Sequence, residues 1–369
     1  MRFSDHFGLN REQPELDFVD IDPAADIPLW IDPYALSRRD DAVSVEWTGS
    51  IISFFQAAVD GIRGGHDRVA QELLNNLSEP NETCLGFSKG RPSGRGVSGK
   101  QSLDLYKALA ESRAVRTGLL TELADSELFV EGIGDDKLSD ITTNIIRHHL
   151  IRYTQEQCAL HGINLEGTVA SGRLWNADRE EWHREYVRLP VINSRSILLV
   201  PKAIVRWRMA MDPHEYYDKF VLHYIEDGEL NRGSRLVRVL KNGTRRVAKK
   251  DLKREYPYSK EFLSRFTREH PEVLEGYKRQ KGQQVHPIAN SDLPDVDEVV
   301  LAKAMIQRLG EIGPGNRDAT KFHRLMVGVL EFILYPNAIA PVLEREIHEG
   351  RKRIDIWYTN AAEDGRVGR

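Results

Sequence analysis

Residues 322–360 read FHRLMVGVLEFILYPNAIAPVLEREIHEGRKRIDIWYTN, and the hydrophobic period changes within them. Phe322, Leu325, Met326, Val329 and Ile333 recur at helical spacing, which predicts a helix from Phe322 to Tyr335 with those five side chains inward. Pro336 closes it, since proline cannot extend the hydrogen-bond ladder. Leu343 to Glu349 reads as a short strand, and Gly350 turns the chain into GRKRIDIWYTN (350–360). There Ile354, Ile356 and Tyr358 alternate with Arg353, Asp355 and Trp357, the period of a strand. Asp355 is then a lone carboxylate in an otherwise apolar strand. If buried, it demands a cation, a metal or a hydrogen-bond cluster.

Glu331 on a helix, followed by a hairpin carrying G-R-x-R-I-D-I and a nearby asparagine, resembles the front half of a PD-(D/E)XK nuclease core, the restriction-endonuclease-like fold. The resemblance implies Mg2+ held by Asp355, with Glu331 as auxiliary ligand, both in catalytic roles. It further implies a DNA endonuclease of bacterial restriction or phage defence. The next strand of that family carries an E-x-K pattern, but the residues after Asn360 (361–369) contain no lysine. Lys352, the nearest one, falls on the opposite strand face from Asp355. The expectation is a chain truncated before that strand and catalytically incomplete. Its unfinished sheet has an edge for a protein partner or a second copy to cover.

The 369 residues leave room for more than one core, and 40% hydrophobic with 29% charged residues is a soluble globular composition. No apolar run reaches the length of a membrane span, and MRFSDHFGLNREQPELDF offers no signal-peptide core. Cys84 and Cys158 stand alone, so no disulfide framework is expected and the reading is cytoplasmic.

Upstream of the tail the pattern predicts an α+β protein. A mainly helical region with short strands and a basic β-hairpin (1–280) is followed by a polar linker (281–295) and a partial restriction-endonuclease-like α/β core (296–369). Strands are expected at Leu16–Asp22, Pro28–Pro33, Ser196–Pro201 and Ala203–Trp207. Helices are expected at Ser44–Ile62, Asp67–Leu77, Ser102–Leu123, Ile141–His161, Glu180–Tyr186 and His214–Glu226. Asp17, Asp20, Asp22, Asp26 and Asp32 are read as turn and cap residues. The neighbours His148 and His149 point in different directions on a helix and are not a chelate. Gly94-x4-Gly99-Lys100 approaches a P-loop, but Gln101 stands where the hydroxyl should be. Arg95 and Lys100 are kept instead as phosphate contacts on a glycine-rich loop.

The net charge of −4 gives no global attraction to nucleic acid, but the charge is unevenly placed. Residues 232–281 hold sixteen Lys and Arg against six Asp and Glu. Arg238, Lys241, Arg245, Arg246, Lys249, Lys250, Lys253 and Arg254 fall on or just after a hairpin whose Asn242-Gly243 suits a type I′ turn. Such a ribbon can follow a phosphate backbone, with DNA ahead of RNA. The alternative to the endonuclease is therefore a non-catalytic nucleic-acid-binding or assembly protein using residues 232–254.

Overall fold

The structure is a computed structural model describing residues 1–86, 99–292, 296–347 and 351–362. It is an α+β fold, 53% helical, with short antiparallel strand pairs. Among the described residues these pairs form six separate two-stranded sheets.

The organising element is the helix Ala42–Arg63, the central helix, capped by Asp41, whose side chain accepts from Ser44 N. Trp47, Ile51, Phe54, Phe55 and Val59 are all buried on its inner face, as their spacing predicts. Each such side chain gains about 2 kcal/mol on leaving water. The face packs against the helices Asp67–Leu74 and Asp135–Ile145 and against the strand Leu174–Asn176.

Several predicted elements change type or extent; the helix expected at Ser102–Leu123, for one, breaks at Ser112 and ends at Thr117. The helix expected at Ile141–His161 begins earlier and is two helices, Asp135–Ile145 and Arg147–His161, meeting at Ile146. The segment expected to be helical at Glu180–Tyr186 contains the strands Glu181–His183 and Tyr186–Val187. There a tight turn outweighs helical spacing. Asn176 Oδ1 accepts from Asp178 N and Arg179 N, Glu180 takes φ +51°, and Trp175 pairs with Trp182 across the strands. Leu16–Asp22, expected as a strand, makes a lone bridge from Phe18 to Pro201 yet lies deep in the core. The expected linker is partly ordered: the helix Pro271–Gln284 runs into it, Ile288 is buried, and residues 293–295 lie outside the described residues.

The tail forms a helix, Ala319–Leu334, and an antiparallel hairpin, Ala338–Ile347 with Lys352–Asn360. The helix is turned differently from the sequence pattern. Leu325, Val327, Gly328 and Glu331 are buried, whereas Phe322 and Ile333 are 42% and 64% exposed. Gly328 explains part of this rotation. A Cβ there would collide with the Arg11 guanidinium, which lies across the helix, pairs with Glu15 at 2.9 Å and donates to Arg324 O at 2.5 Å. The apolar stripe loses to a polar contact that needs a glycine beneath it.

Candidate functional site

The tail helix meets the rest of the chain through a buried polar cluster. Asp17 comes from the N-terminal loop, Tyr153 from the helix Arg147–His161, Lys202 from a 3-10 turn, and Glu331 and Tyr335 from the tail. Lys202 Nζ lies 3.4 Å from Glu331 Oε1, donates to Asn290 Oδ1 at 3.2 Å and sits 4.1 Å from the centre of the Tyr335 ring. Asp17 accepts from Tyr153 Oη at 2.6 Å and from Ala340 N at 3.1 Å. Lys202 and Glu331 are fully buried.

One ammonium faces two carboxyls here, so full ionisation would leave a negative charge in the core. Burial pushes the Glu331 carboxyl up to about 8, with Asp17 adding repulsion and Lys202 opposing it. Burial raises Asp17 as well and lowers Lys202. Burial and the neighbouring carboxyl thus both favour the protonated form of Glu331, with Lys202 opposing them.

The sequence grouped Glu331 with Asp355 as a metal pair, and the structure separates them. Tyr358 reaches the tail helix, its Oη donating to Val327 O at 2.9 Å. Asp355 follows the other alternation, with Trp357 and Thr359, and is exposed. The desolvation expected to force a partner on Asp355 is absent. Its neighbour Arg353 pairs with Glu346 at 2.9 Å and Glu344 at 3.6 Å. A magnesium ion shared by an exposed Asp355 and a sealed, lysine-paired Glu331 does not fit this arrangement. Among the described residues, no group of three or more His, Cys, Asp or Glu is set to hold a metal ion.

The basic hairpin forms as expected, Val237–Val239 with Arg245–Val247. Its charge is more paired than the sequence implied. Arg238 and Arg254 contact Asp251, Lys249 and Lys253 contact Asp218, and Arg245 donates to Leu230 O. Lys241, Arg246 and Lys250 are exposed, and their side chains have no ion pair with a described residue. Val239 and Leu240 beside them are 69% and 45% exposed. Arg95 and the Lys100 side chain lie outside the described residues.

Sequence reading missed a second acidic feature. Asp136 and Asp140 on the helix Asp135–Ile145 line a cavity of about 160 Å³ with Glu79 and Lys137. Burial pushes Asp140 up to about 8, reinforced by Asp136, Glu79 and Asp26. The signal was the spacing of Asp136 and Asp140, four apart on one helical face.

The family described as a domain of unknown function, DUF8370, matches residues 8–212, more than half of the 369. The chain belongs to the DUF8370 family. No curated protein and no solved structure matches it. The DUF8370 span contributes Asp17, Tyr153 and Lys202 to the buried cluster, while Asn290, Glu331, Tyr335 and Ala340 come from outside the span.

Proposed function

We propose that this DUF8370 protein binds nucleic acid, DNA ahead of RNA, through the phosphate backbone. The observation that carries the reading is a trio of exposed cations without an ion pair among the described residues, Lys241 in the turn of a β-ribbon, Arg246 on its second strand and Lys250 on the helix that follows, with Val239 and Leu240 exposed on the same ribbon. Cations already held by Asp218 and Asp251 add little, because a phosphate must compete with a carboxylate for them. Three phosphate contacts to duplex DNA give a salt slope of log K against log [salt] near −2.7, at ~0.9 per neutralised phosphate. Fluorescence anisotropy of a labelled duplex across a salt series tests this. The triple variant Lys241→Glu, Arg246→Glu, Lys250→Glu is expected to abolish binding at moderate salt. Unchanged affinity and slope in that variant would remove the ribbon from the account.

A magnesium-dependent DNA endonuclease of restriction or phage defence is the second reading. It is supported by the order of the tail, a helix followed by an antiparallel hairpin, with Asp355 exposed on the second strand. Glu331 takes no part in it as a ligand. Plasmid cleavage with added magnesium, lost in Asp355→Ala, would support it, and no cleavage by the chain would refute it. Either reading places the protein in the cytoplasm. Among the described residues, no helix is long and apolar enough to cross a membrane. The tail hairpin pairs with no third described strand, so a protein partner or a second copy is expected along its edge.

A further inference from the structure

A cleft of about 320 Å³ opens where the DUF8370 span meets the tail hairpin. Trp47 of the central helix lines one side, His149, Arg152 and Glu156 of the neighbouring helix the floor, and Arg345 and Trp357 of the hairpin the other side. The size is at the lower end for small-molecule sites, enough for one compact ligand.

Its walls are aromatic on both sides. Trp47 stacks on His149, ring centres 5.7 Å apart and planes 18° from parallel. His149 is 7% exposed, and burial lowers its pKa to about 4, so the ring is neutral. Its Nε2 lies 2.8 Å from Ser50 Oγ, while Nδ1 has no hydrogen-bond partner and is 3.7 Å from Glu46 Oε1. Trp47 Nε1 is also buried without a partner. On the far side the Arg345 guanidinium lies 4.2 Å from the centre of the Trp357 ring. Arg345 has no carboxylate within 4 Å among the described residues, whereas Arg152 is already held by Glu46 at 2.7 Å.

The backbone at this cleft is irregular too. The hairpin register slips between Ile339 and Val342, and Ala340 adopts φ +50° with its N–H fixed by Asp17. Such bulges re-aim side chains, and a non-glycine residue in the left-handed region persists where surrounding contacts hold it there.

These features select a ligand. An aromatic lining favours a flat π-system, and a planar guanidinium with no carboxylate within 4 Å among the described residues favours an anion that accepts two hydrogen bonds. A small anion alone would meet Glu156 in the cleft lining and gain nothing from the aromatic side chains. A ring with donors and acceptors on its edge can use Glu156, Arg152 and His149 together. We propose that the cleft binds one nucleotide unit, its base against Trp357, with the buried Trp47–His149 stack beneath it, and its phosphate on Arg345. The unit is either a free mononucleotide or an unstacked nucleotide of a strand, and both present the same chemistry. The cleft shares no residue with the basic ribbon, so the two sites are tested separately.

Calorimetric titration of the full chain uses 5′-AMP, adenosine, inorganic phosphate and a 5′-phosphorylated eight-nucleotide dA oligomer as probes. The expected result is binding of 5′-AMP or of the oligomer, with adenosine at least tenfold weaker and phosphate alone undetected. Arg345→Ala, an exposed position, is expected to weaken the phosphorylated probe at least tenfold and to leave adenosine unchanged. A merely structural role would not separate the two probes. Trp357→Ala should weaken both, and thermal melting checks that each variant is folded. Binding of 5′-AMP assigns the cleft to a free nucleotide, and binding of the oligomer alone, lost in both variants, assigns it to a strand. The ribbon triple variant should leave 5′-AMP binding intact. No binding of either phosphorylated probe, or binding that both folded variants retain in full, overturns the proposal.

Discussion

Replacing Lys202 by methionine removes the ammonium from a fully buried position and leaves its stem volume nearly unchanged. What is lost is the 3.4 Å approach to Glu331, the 3.2 Å bond to Asn290 and the contact with the Tyr335 ring. What remains is two buried carboxyls, Asp17 and Glu331, without the ammonium that faced both, although Arg39 still acts on Asp17. Deleting one partner of a buried ion pair costs about 3–5 kcal/mol. At ~2.1 cal/mol/K per residue, a chain of 369 residues unfolds with about 0.8 kcal/mol/K of entropy, so the melting temperature should fall by about 4–6 °C. Differential scanning calorimetry at pH 7 measures it. The double variant Lys202→Met, Glu331→Leu removes both charges and should recover most of the loss, because apolar replacement of a whole buried pair is often neutral. A single-variant shift below about 1 °C, or a double variant less stable than the single, would refute the assignment of this cluster as the electrostatic joint between tail and core.

The same cluster predicts a pH profile. Glu331 has a folded value raised to about 8, so its stabilising protonation is complete below its ordinary carboxyl range and is lost as pH rises through about 8. Lys202, lowered by burial, gives the opposite slope on the alkaline side, between its folded value and ~10.4. Glu331→Gln should therefore flatten the fall in stability between about pH 5 and 8, as read by urea denaturation at several pH values, and an unchanged slope counts against it. Gly328→Ala should cost about 1–3 kcal/mol by expelling Arg11 from the tail helix, and guanidinium unfolding with a shift under about 0.5 kcal/mol would show that Arg11 moves freely. Asp355→Ala, at an exposed strand position, should leave stability within about 0.5 kcal/mol, and a larger loss in the same assay would mean that Asp355 has a buried partner.

Legibility in the sequence followed the range of the forces involved. The central helix was readable because five apolar residues repeat at helical spacing and all five are buried. The basic ribbon was readable because Asn242-Gly243 states its turn locally. Among the N-terminal aspartates, the turn-and-cap reading holds for Asp32, which caps a helix, and for Asp22, which accepts from Ala24 N. It misses Asp17, whose partners Tyr153 and Ala340 are 136 and 323 residues away. The tail helix was placed correctly but faced wrongly. Its hydrophobic stripe pointed to Phe322 and Ile333, whereas the contacts with Lys202 and Arg11 that orient it come from outside the helix. Ion-pairing of the ribbon was hidden for the same reason, since Asp218 belongs to an earlier helical segment.

Lys202 stands ten residues before the end of the stretch by which the family is recognised. Its counter-charge, Glu331, lies far beyond that stretch. The unit of kinship and the unit of folding therefore have different borders. A fragment cut at residue 212 would keep an ammonium at the bottom of an opened trough, facing water where a helix had been. Within that stretch the lysine keeps Asp17 as a counter-charge, but the place of Glu331 must be filled from elsewhere or left wet.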